Sequence, residues 1–360
     1  MTNKHLYGLI LAGGRGTRFW PKSRKRRAKQ VLDFLGEGTL IQQTASRLSV
    51  LIPPERLWIL TNNYLRDEIV RQLPEVPKKQ ILAEPAQRNT APAIGLAAHI
   101  LQSIDPDAVM GVFPSDHYVS KPKRFLKLVK AAYREAAQGR IALLGLQPRW
   151  PETGYGYVEF PPGEAAPGST NAVRVVRFRE KPSFEDAQAF VAAGNFFWNG
   201  GMFFWRAGVV LDQLARHLPK TAGLLAELPK FGSRQFGAKL AEVFPQCENI
   251  SIDYAVLERA EGVVGIAADD IGWNDVGSWN AVYELLPRDK EGNTRRGDLL
   301  PYSSSGNFVD VPGKLVALLG VKDLVIVDTP DALLIADRHR VQNVGDLVKH
   351  LEARKRDELL

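Results

Sequence analysis

The chain reads as an α/β protein: a mostly parallel sheet with helices on both faces, followed by a small strand-rich unit. Three observations lead there. An apolar run without alternation, residues 6–11, opens the chain and suits a strand buried on both faces. Strand-length apolar runs then alternate with helical stripes as far as residue 146, and regular alternation implies right-handed crossovers. From about residue 293 the pattern changes to short strands between turn residues. The 360 residues also exceed the roughly 250–300 at which single cores stop growing. We therefore expect a division into residues 1–287 and 288–360.

Composition narrows the functional class. Hydrophobic content of 45% and charged content of 24% are those of a soluble globular protein. A single cysteine, Cys247, excludes an internal disulfide and fits a reducing cytoplasm, our expected location. It reads as a packed thiol. No run approaches the roughly 20 apolar residues of a membrane span, and the apolar start is too short for a signal peptide, so no membrane partner is expected. The net charge of +7 is concentrated in the first loop. That favours a local anionic substrate over nucleic acid. The six histidines lack zinc-ligand spacing, and no zinc site is expected.

Taken in order, the first strand runs into AGGRGTRFWPKSRKRRAKQ, residues 12–30. Gly13, Gly14 and Gly16 allow positive φ and an amide nest for an anion. Arg15, Arg18, Lys22, Arg24, Lys25, Arg26, Arg27 and Lys29 surround them, which suits a polyphosphate. On charge alone a nucleic-acid patch or a solvated face fits as well. The loop lacks the Gly-Lys-Ser/Thr ending of a P-loop, and Phe19 stands where a dinucleotide fingerprint has its third glycine.

A helix is expected over 39–51, from the stripe Leu40, Ile41, Thr44, Leu48 and Leu51. Strands follow at 57–60, 80–83, 108–113 and 141–146, with helices at 91–103 and 124–138, so the ligand belongs at the strands' carboxyl ends. Asn89 or Thr90 can cap the helix that Pro92 starts, yet a cap does not need Glu84, Arg88 and Asn89 together. Asp116 ends a buried strand, a position poor for packing and good for a cation. A strand over 173–178 leads to Glu180-Lys181-Pro182, and Ser183 with Asp186 forms a capping box. The run 196–205 is a core strand whose Asn199 amide needs a partner. Helices are expected at 207–228, 236–244 and 251–258, where Asp253 is a first-turn acid. A strand at 263–268 precedes Asp275, and a helix starts near Ser278. Three short strands, 315–320, 324–328 and 333–336, then a helix over 345–360, end the chain. Their exposed edges call for a neighbouring subunit, so we expect a homo-oligomer, a dimer through this unit.

Gly14-Arg15-Gly16-Thr17-Arg18 with Lys29 resembles the Gly-x-Gly-x-Arg and Pro-Lys signature of the sugar nucleotidyltransferases, with Ala28 replacing the proline. The later segments resemble the mannose-1-phosphate guanylyltransferases over nearly the whole chain. The resemblance implies a Rossmann-like nucleotidyltransferase fold with a left-handed β-helix-like C-terminal unit. It implies transfer of GMP from GTP to mannose 1-phosphate, giving GDP-mannose and pyrophosphate, with Mg2+ as cofactor. Catalytic roles fall on Arg18 and Lys29. Nucleotide contacts fall on Leu11, Ala12, Gly13, Gly14, Arg15, Gly16, Thr17, Arg18, Lys29, Glu84, Arg88, Asn89 and Thr90, among which a carboxylate or amide can accept from guanine N1–H and N2. The sugar phosphate falls to Gly154, Tyr155, Gly156, Glu180, Lys181, Asn199 and Asp253, and the metal to Asp116 and Asp275, with His117 beside them. A sister enzyme with another nucleotide or hexose phosphate would vary residues 84–92. A non-catalytic relative of the same fold commonly loses loop or metal residues, whereas Arg18, Lys29, Asp116 and Asp275 are all present.

Overall fold

Seven strands of one sheet point the same way, and that shared direction decides where a ligand can sit. A computed structural model describes residues 3–360. β1 (Leu6–Leu11), α1 (Leu40–Ser49), β2 (Leu57–Asn62), α2 (Arg66–Gln72), β3 (Ile81–Glu84), α3 (Thr90–Ile104) and β4 (Val109–Pro114) alternate along the chain. Their strands pair in parallel in the order β3-β2-β1-β4. A two-residue strand β5 (Tyr118–Val119), α4 (Pro122–Ala137) and β6 (Ala142–Leu146) follow. Then come β7 (Tyr157–Glu159), β8 (Ala172–Arg174), β9 (Arg177–Arg179), α5 (Phe184–Ala193) and the long β10 (Phe196–Arg206). β10 inserts between β4 and β6, antiparallel to both. Helices α6 (Ala207–His217), α7 (Pro219–Ala226) and α8 (Phe236–Val243) lead to β11 (Val264–Ala268), parallel to β6.

The sheet buries both faces. Ile10, Ile59, Phe113 and Leu144 face one core with Leu48 and Phe125 of the flanking helices. Their neighbours Leu9, Leu60, Val112 and Leu143 face a second core with Ile94 and Leu214. This is the two-residue period of a strand applied to runs apolar on both sides. Thr39 caps α1 in a reciprocal box with Gln42. Cys247 is buried in the second core.

Several expectations need correction. The strand expected over 173–178 is two, because Val175 N donates to Val263 O while Val176 N donates to Glu159 O, so the chain changes partner there. Ser183 accepts from Asp186 N, and the return half of a capping box is absent. The helix over 207–228 breaks at Leu218, since proline disfavours the helical conformation of the residue before it. Residues Asp253–Leu257 form a π-helical turn.

The C-terminal part has four strands rather than three. After β12 (Trp273–Asn274) and α9 (Trp279–Leu285), β13 (Thr294–Tyr302), β14 (Phe308–Leu319) and β15 (Leu324–Thr329) stack in parallel as a β-helix-like coil. β16 (Ala332–Asp337) closes it antiparallel to β15. Asn293 Oδ1 accepts from Asn307 Nδ2 (2.9 Å), and Asn307 Oδ1 accepts from Leu324 N (2.9 Å), so buried asparagines tie successive turns. The last helix, α10 (Val344–Ala353), is shorter than expected and stops before Lys355, whose φ is 54°.

This part is not self-contained. Phe19, Trp20 and Phe34 of the glycine-rich segment pack with Trp279, Phe308, Val325, Val344 and Val348 in one shared core. No helix of the described residues is long and apolar enough to cross a membrane.

Candidate active site

β1 and β4 end side by side, with Leu11 opposite Pro114, so the glycine loop and Asp116 share one edge of the sheet. Side chains grip the loop by its carbonyls. Gln30 Nε2 donates to Ala12 O (2.8 Å) and Gly14 O (3.1 Å), Thr61 Oγ1 to Ala12 O (2.9 Å) and Asn62 Nδ2 to Gly13 O (3.4 Å). Among the described residues the amides of Gly13, Gly14, Arg15 and Gly16 donate to no protein acceptor. Amides presented in this way form an anion nest.

The glycines differ in purpose. Only Gly16 has positive φ, 61°, and a Cβ there would lie 2.4 Å from Lys29 Cβ. At Gly13 and Gly14 the φ is not left-handed, contrary to expectation, and an added Cβ would meet nothing in the protein. Gly16 is demanded by packing, whereas Gly13 and Gly14 leave the cleft floor open.

Lys29 is buried, and its Nζ donates to Asp116 Oδ2 (2.8 Å) and to Asp275 O (2.6 Å). Burial alone would raise the Asp116 carboxyl, but the Lys29 ammonium and the neighbouring His117 outweigh it and hold Asp116 below its ordinary range. Burial pushes His117 down to about 4; its Nδ1 accepts from Trp273 Nε1 (3.2 Å).

Asp275 arrives by a different route from the one the strand pattern suggests. It follows no strand of the main sheet. Instead β12 pairs with β5, Trp273 opposite Val119 and Asn274 opposite Tyr118, and this short ribbon carries the chain back to Asp116. Val276, next in line, is buried with φ 47°, a genuine strain for a β-branched residue. Asn274 Oδ1 holds the turn by accepting from Val276 N (2.7 Å). Asn89 (φ 64°) and Lys181 (φ 45°) share this left-handed backbone, so strain collects beside the expected site residues.

On one side of Lys29 lies a trough made of two clefts of about 480 and 440 Å³ that share Gly14, Glu84 and Gln87. Leu11, Gly13, Asn89, Thr90 and Asp116 line the first and Arg15 the second. Burial pushes the Glu84 carboxyl up to about 8. Asn89 Oδ1 accepts from Thr90 N (2.9 Å), and Thr90 Oγ1 accepts from Ile252 N (2.8 Å). Arg88 turns elsewhere: its guanidinium donates to Pro245 O, and it lines neither cleft. Ala12 is buried, Thr17 is half-buried, and Arg18 is exposed on the loop.

Of the residues expected to hold the sugar phosphate, the structure gathers several that are far apart in sequence. Asn199 Nδ2 donates to Asp253 Oδ1 (2.8 Å), and Asn199 N donates to Gly156 O (2.7 Å). A Cβ on Gly156 would lie 2.3 Å from Glu180 Oε2. That Oε2 is buried without a partner among the described residues, and burial together with Asp253 pushes the Glu180 carboxyl up to about 7. Lys181 lies 3.7 Å from Glu180. Tyr155 packs on Trp198 and Trp273, where burial and the nearby Asp275 raise its hydroxyl. Gly154 stands apart, its amide donating to Glu152 Oε1 (2.8 Å).

Half the basic run is engaged by the C-terminal part. Lys22 donates to Asp310, Arg24 to Asp331 (3.0 Å) and Arg15 to Glu352 (3.0 Å), while Lys25 lies 3.7 Å from Asp357. These four cations are paired with acids more than 280 positions away, while Arg15 and Lys25 also line the second cleft. Gln30, Gln87 and the strained Val276 are further additions to the site; no local pattern marks them.

A family model for nucleotidyl transferases matches residues 7–292, and one for the mannose-phosphate isomerase/GMP-like β-helix domain matches residues 302–351. The chain is similar to the mannose-1-phosphate guanylyltransferase ManC of Salmonella typhimurium, 39% identical over 99% of this chain and 75% of that protein. It is likewise similar to a mannose-1-phosphate guanylyltransferase of Escherichia coli K12, 38% identical over 99% of this chain and 76% of that one. A crystal structure described as a mannose-1-phosphate geranyltransferase from Thermus thermophilus is 34% identical, with a TM-score of 0.84 over 97% of this chain and 99% of that one. Open loop amides, a buried Lys29 bonded to the Asp116 carboxylate and the Asp275 carbonyl, and likeness over 99% of this chain agree: the chain belongs to the mannose-1-phosphate guanylyltransferases, enzymes of the nucleotidyltransferase family.

Proposed function

We propose that the protein transfers GMP from GTP to mannose 1-phosphate, releasing pyrophosphate and GDP-mannose. One observation carries the reading. The Lys29 ammonium, bonded to Asp116 Oδ2 and Asp275 O, ties the strand end beside the open amide nest to the turn that carries Asp275. In the proposed reaction a phosphate oxygen of the sugar phosphate forms a bond to the α-phosphorus, and the bond from that phosphorus to the bridging oxygen of pyrophosphate breaks. No protein nucleophile is needed; positioning two mutually repelling anions is the main task.

Each part of the chain has an assigned share. The loop amides of residues 13–16, with Arg18 and Lys29, hold the triphosphate. Glu84, Asn89 and Thr90 face the nucleoside, and Arg88, bonded to Pro245 O, acts on it indirectly. Glu180 Oε2, buried and unpartnered, waits for a sugar hydroxyl, and Lys181 for the sugar phosphate. Asp116 and Asp275 offer hard carboxylate oxygens, Asp116 kept charged by Lys29, which fits Mg2+ with its preference for one or two carboxylates plus phosphate oxygens. When bound, the ion supplies neutralisation of phosphate charge. The group His5, Asp105 and Asp107 lies at the strands' amino ends and has no place in this scheme.

We also read the protein as a cytoplasmic homodimer, with residues 1–287 catalytic and 288–360 assembling the pair. Leu300, Tyr302, Leu319, Leu333 and Ile335, exposed on the C-terminal strands, support that assembly, and light scattering at two concentrations tests it. For the activity, the test is pyrophosphate release over a grid of four nucleoside triphosphates and several hexose 1-phosphates. GTP with mannose 1-phosphate should be fastest. A faster alternative pair would make this a sister enzyme, and silence across the grid would overturn the activity.

A further inference from the structure

The C-terminal helix reaches the nucleotide cleft. α10 packs on the glycine loop, where a Cβ on Gly345 would lie 3.6 Å from Thr17 Oγ1, and beyond the helix Leu359 O accepts from Trp20 Nε1 (2.9 Å). Glu352, on the last turn of α10, lines the 440 Å³ cleft together with Gly14, Arg15, Lys25, Tyr64 and Glu84. Its Oε1 accepts from Arg15 Nη2 (3.0 Å), across 337 positions of sequence. Arg15 belongs to the loop of open amides and lines the cleft, and it is already paired with an anion there.

We propose that Glu352 is a positioning residue for the nucleotide: it holds Arg15 at the rim of the cleft, and an entering polyphosphate takes Arg15 from it. This deepens the guanylyl-transfer reading and rests on it. The pair is weak enough to exchange, because both side chains are partly open, 42% for Arg15 and 38% for Glu352, and exposed pairs contribute little. A triphosphate presents several anionic oxygens to the fork of the guanidinium, which prefers phosphate in a bidentate geometry. Glu352 therefore opposes binding until Arg15 changes partner, and reclaims Arg15 when the less charged product leaves.

The test is a double-mutant cycle of Arg15→Gln and Glu352→Gln in the full chain, read by calorimetric titration of GTP and of inorganic tripolyphosphate. Glu352→Gln should tighten both ligands about threefold, lower KM for GTP with kcat within about twofold, and leave the melting temperature unchanged. On the Arg15→Gln background the same change should have no effect, since the cation it frees is gone. Glu352→Asp should restore the parent affinity. Weaker binding in Glu352→Gln, unchanged binding of both ligands, or an effect that persists without Arg15 would each overturn the proposal. A parent protein that binds tripolyphosphate but not GTP would sink the guanine reading and leave the Arg15–Glu352 pairing to be judged on tripolyphosphate alone.

Discussion

The two halves of the cleft are built in opposite ways. The proposed nucleotide half is built mainly on one contiguous stretch, residues 11–30, whose residue types already announce an anion site, with Glu84, Asn89 and Thr90 added to it; yet the stretch is braced from outside by the C-terminal part. The sugar half is scattered over Gly156, Glu180, Asn199 and Asp253, but it closes on itself within the sheet and its flanking turns. A local motif can need a distant scaffold, and a scattered cluster can be self-sufficient. Lys29 joins Asp116 to the Asp275 carbonyl, the junction on which the proposed metal site rests.

The largest expected effect lies at that junction. Asp275→Asn should lower turnover on the order of 10²- to 10³-fold, the scale of losing one group that stabilises transferring charge. Its backbone carbonyl still accepts from Lys29, so melting should shift little. Near-normal turnover would remove the junction from the account.

Next comes the brace. Trp279 is fully buried, edge-on to Phe19 and Phe34, with Nε1 donating to Trp20 O (3.1 Å). Trp279→Ala should cost about 3–5 kcal/mol of stability, measured by denaturant unfolding. In the surviving folded fraction GTP affinity should fall while mannose 1-phosphate affinity holds. Equal loss of both would erase the contrast between the halves.

The smallest effect is a matter of pH. Glu84 rises from an ordinary 4.5 to about 8 through burial, so the folded protein keeps its proton where the unfolded chain has lost it. The stability this gives is complete below about 4.5 and is lost as pH climbs through about 8. Glu84→Gln lacks the titration and should melt higher than the parent by a few degrees, about 1–3 °C, at pH 8.5, with the gap closing at pH 5. A pH-independent difference would mean that Glu84 is charged in the cleft at neutral pH.

How much of this can be read from sequence follows the same division. β1, β2, β4 and β6 are plain because strands buried on both faces need unbroken apolar runs. The break between β8 and β9 leaves only a faint mark: Val173 to Phe178 reads VRVVRF, and the doubled valine at 175 and 176 falls where the chain changes partner. Gly16 is legible as a glycine but not its reason, the contact with Lys29. Asp275 is legible as an acid outside a strand, while the β5–β12 ribbon that delivers it is two residues long and has no periodicity to detect. The acids that occupy Arg15, Lys22, Arg24 and Lys25 belong to another part of the chain, and no local rule pairs charges across such separations.

If two separable half-sites meet at the Lys29 junction, separate equilibrium titrations of GTP and mannose 1-phosphate will resolve them. Lys181→Ala should weaken mannose 1-phosphate by about one to two decades and leave GTP within about twofold; Arg18→Ala should do the reverse. If each substitution lowered both affinities equally, the two halves would be a single site and the account would be wrong.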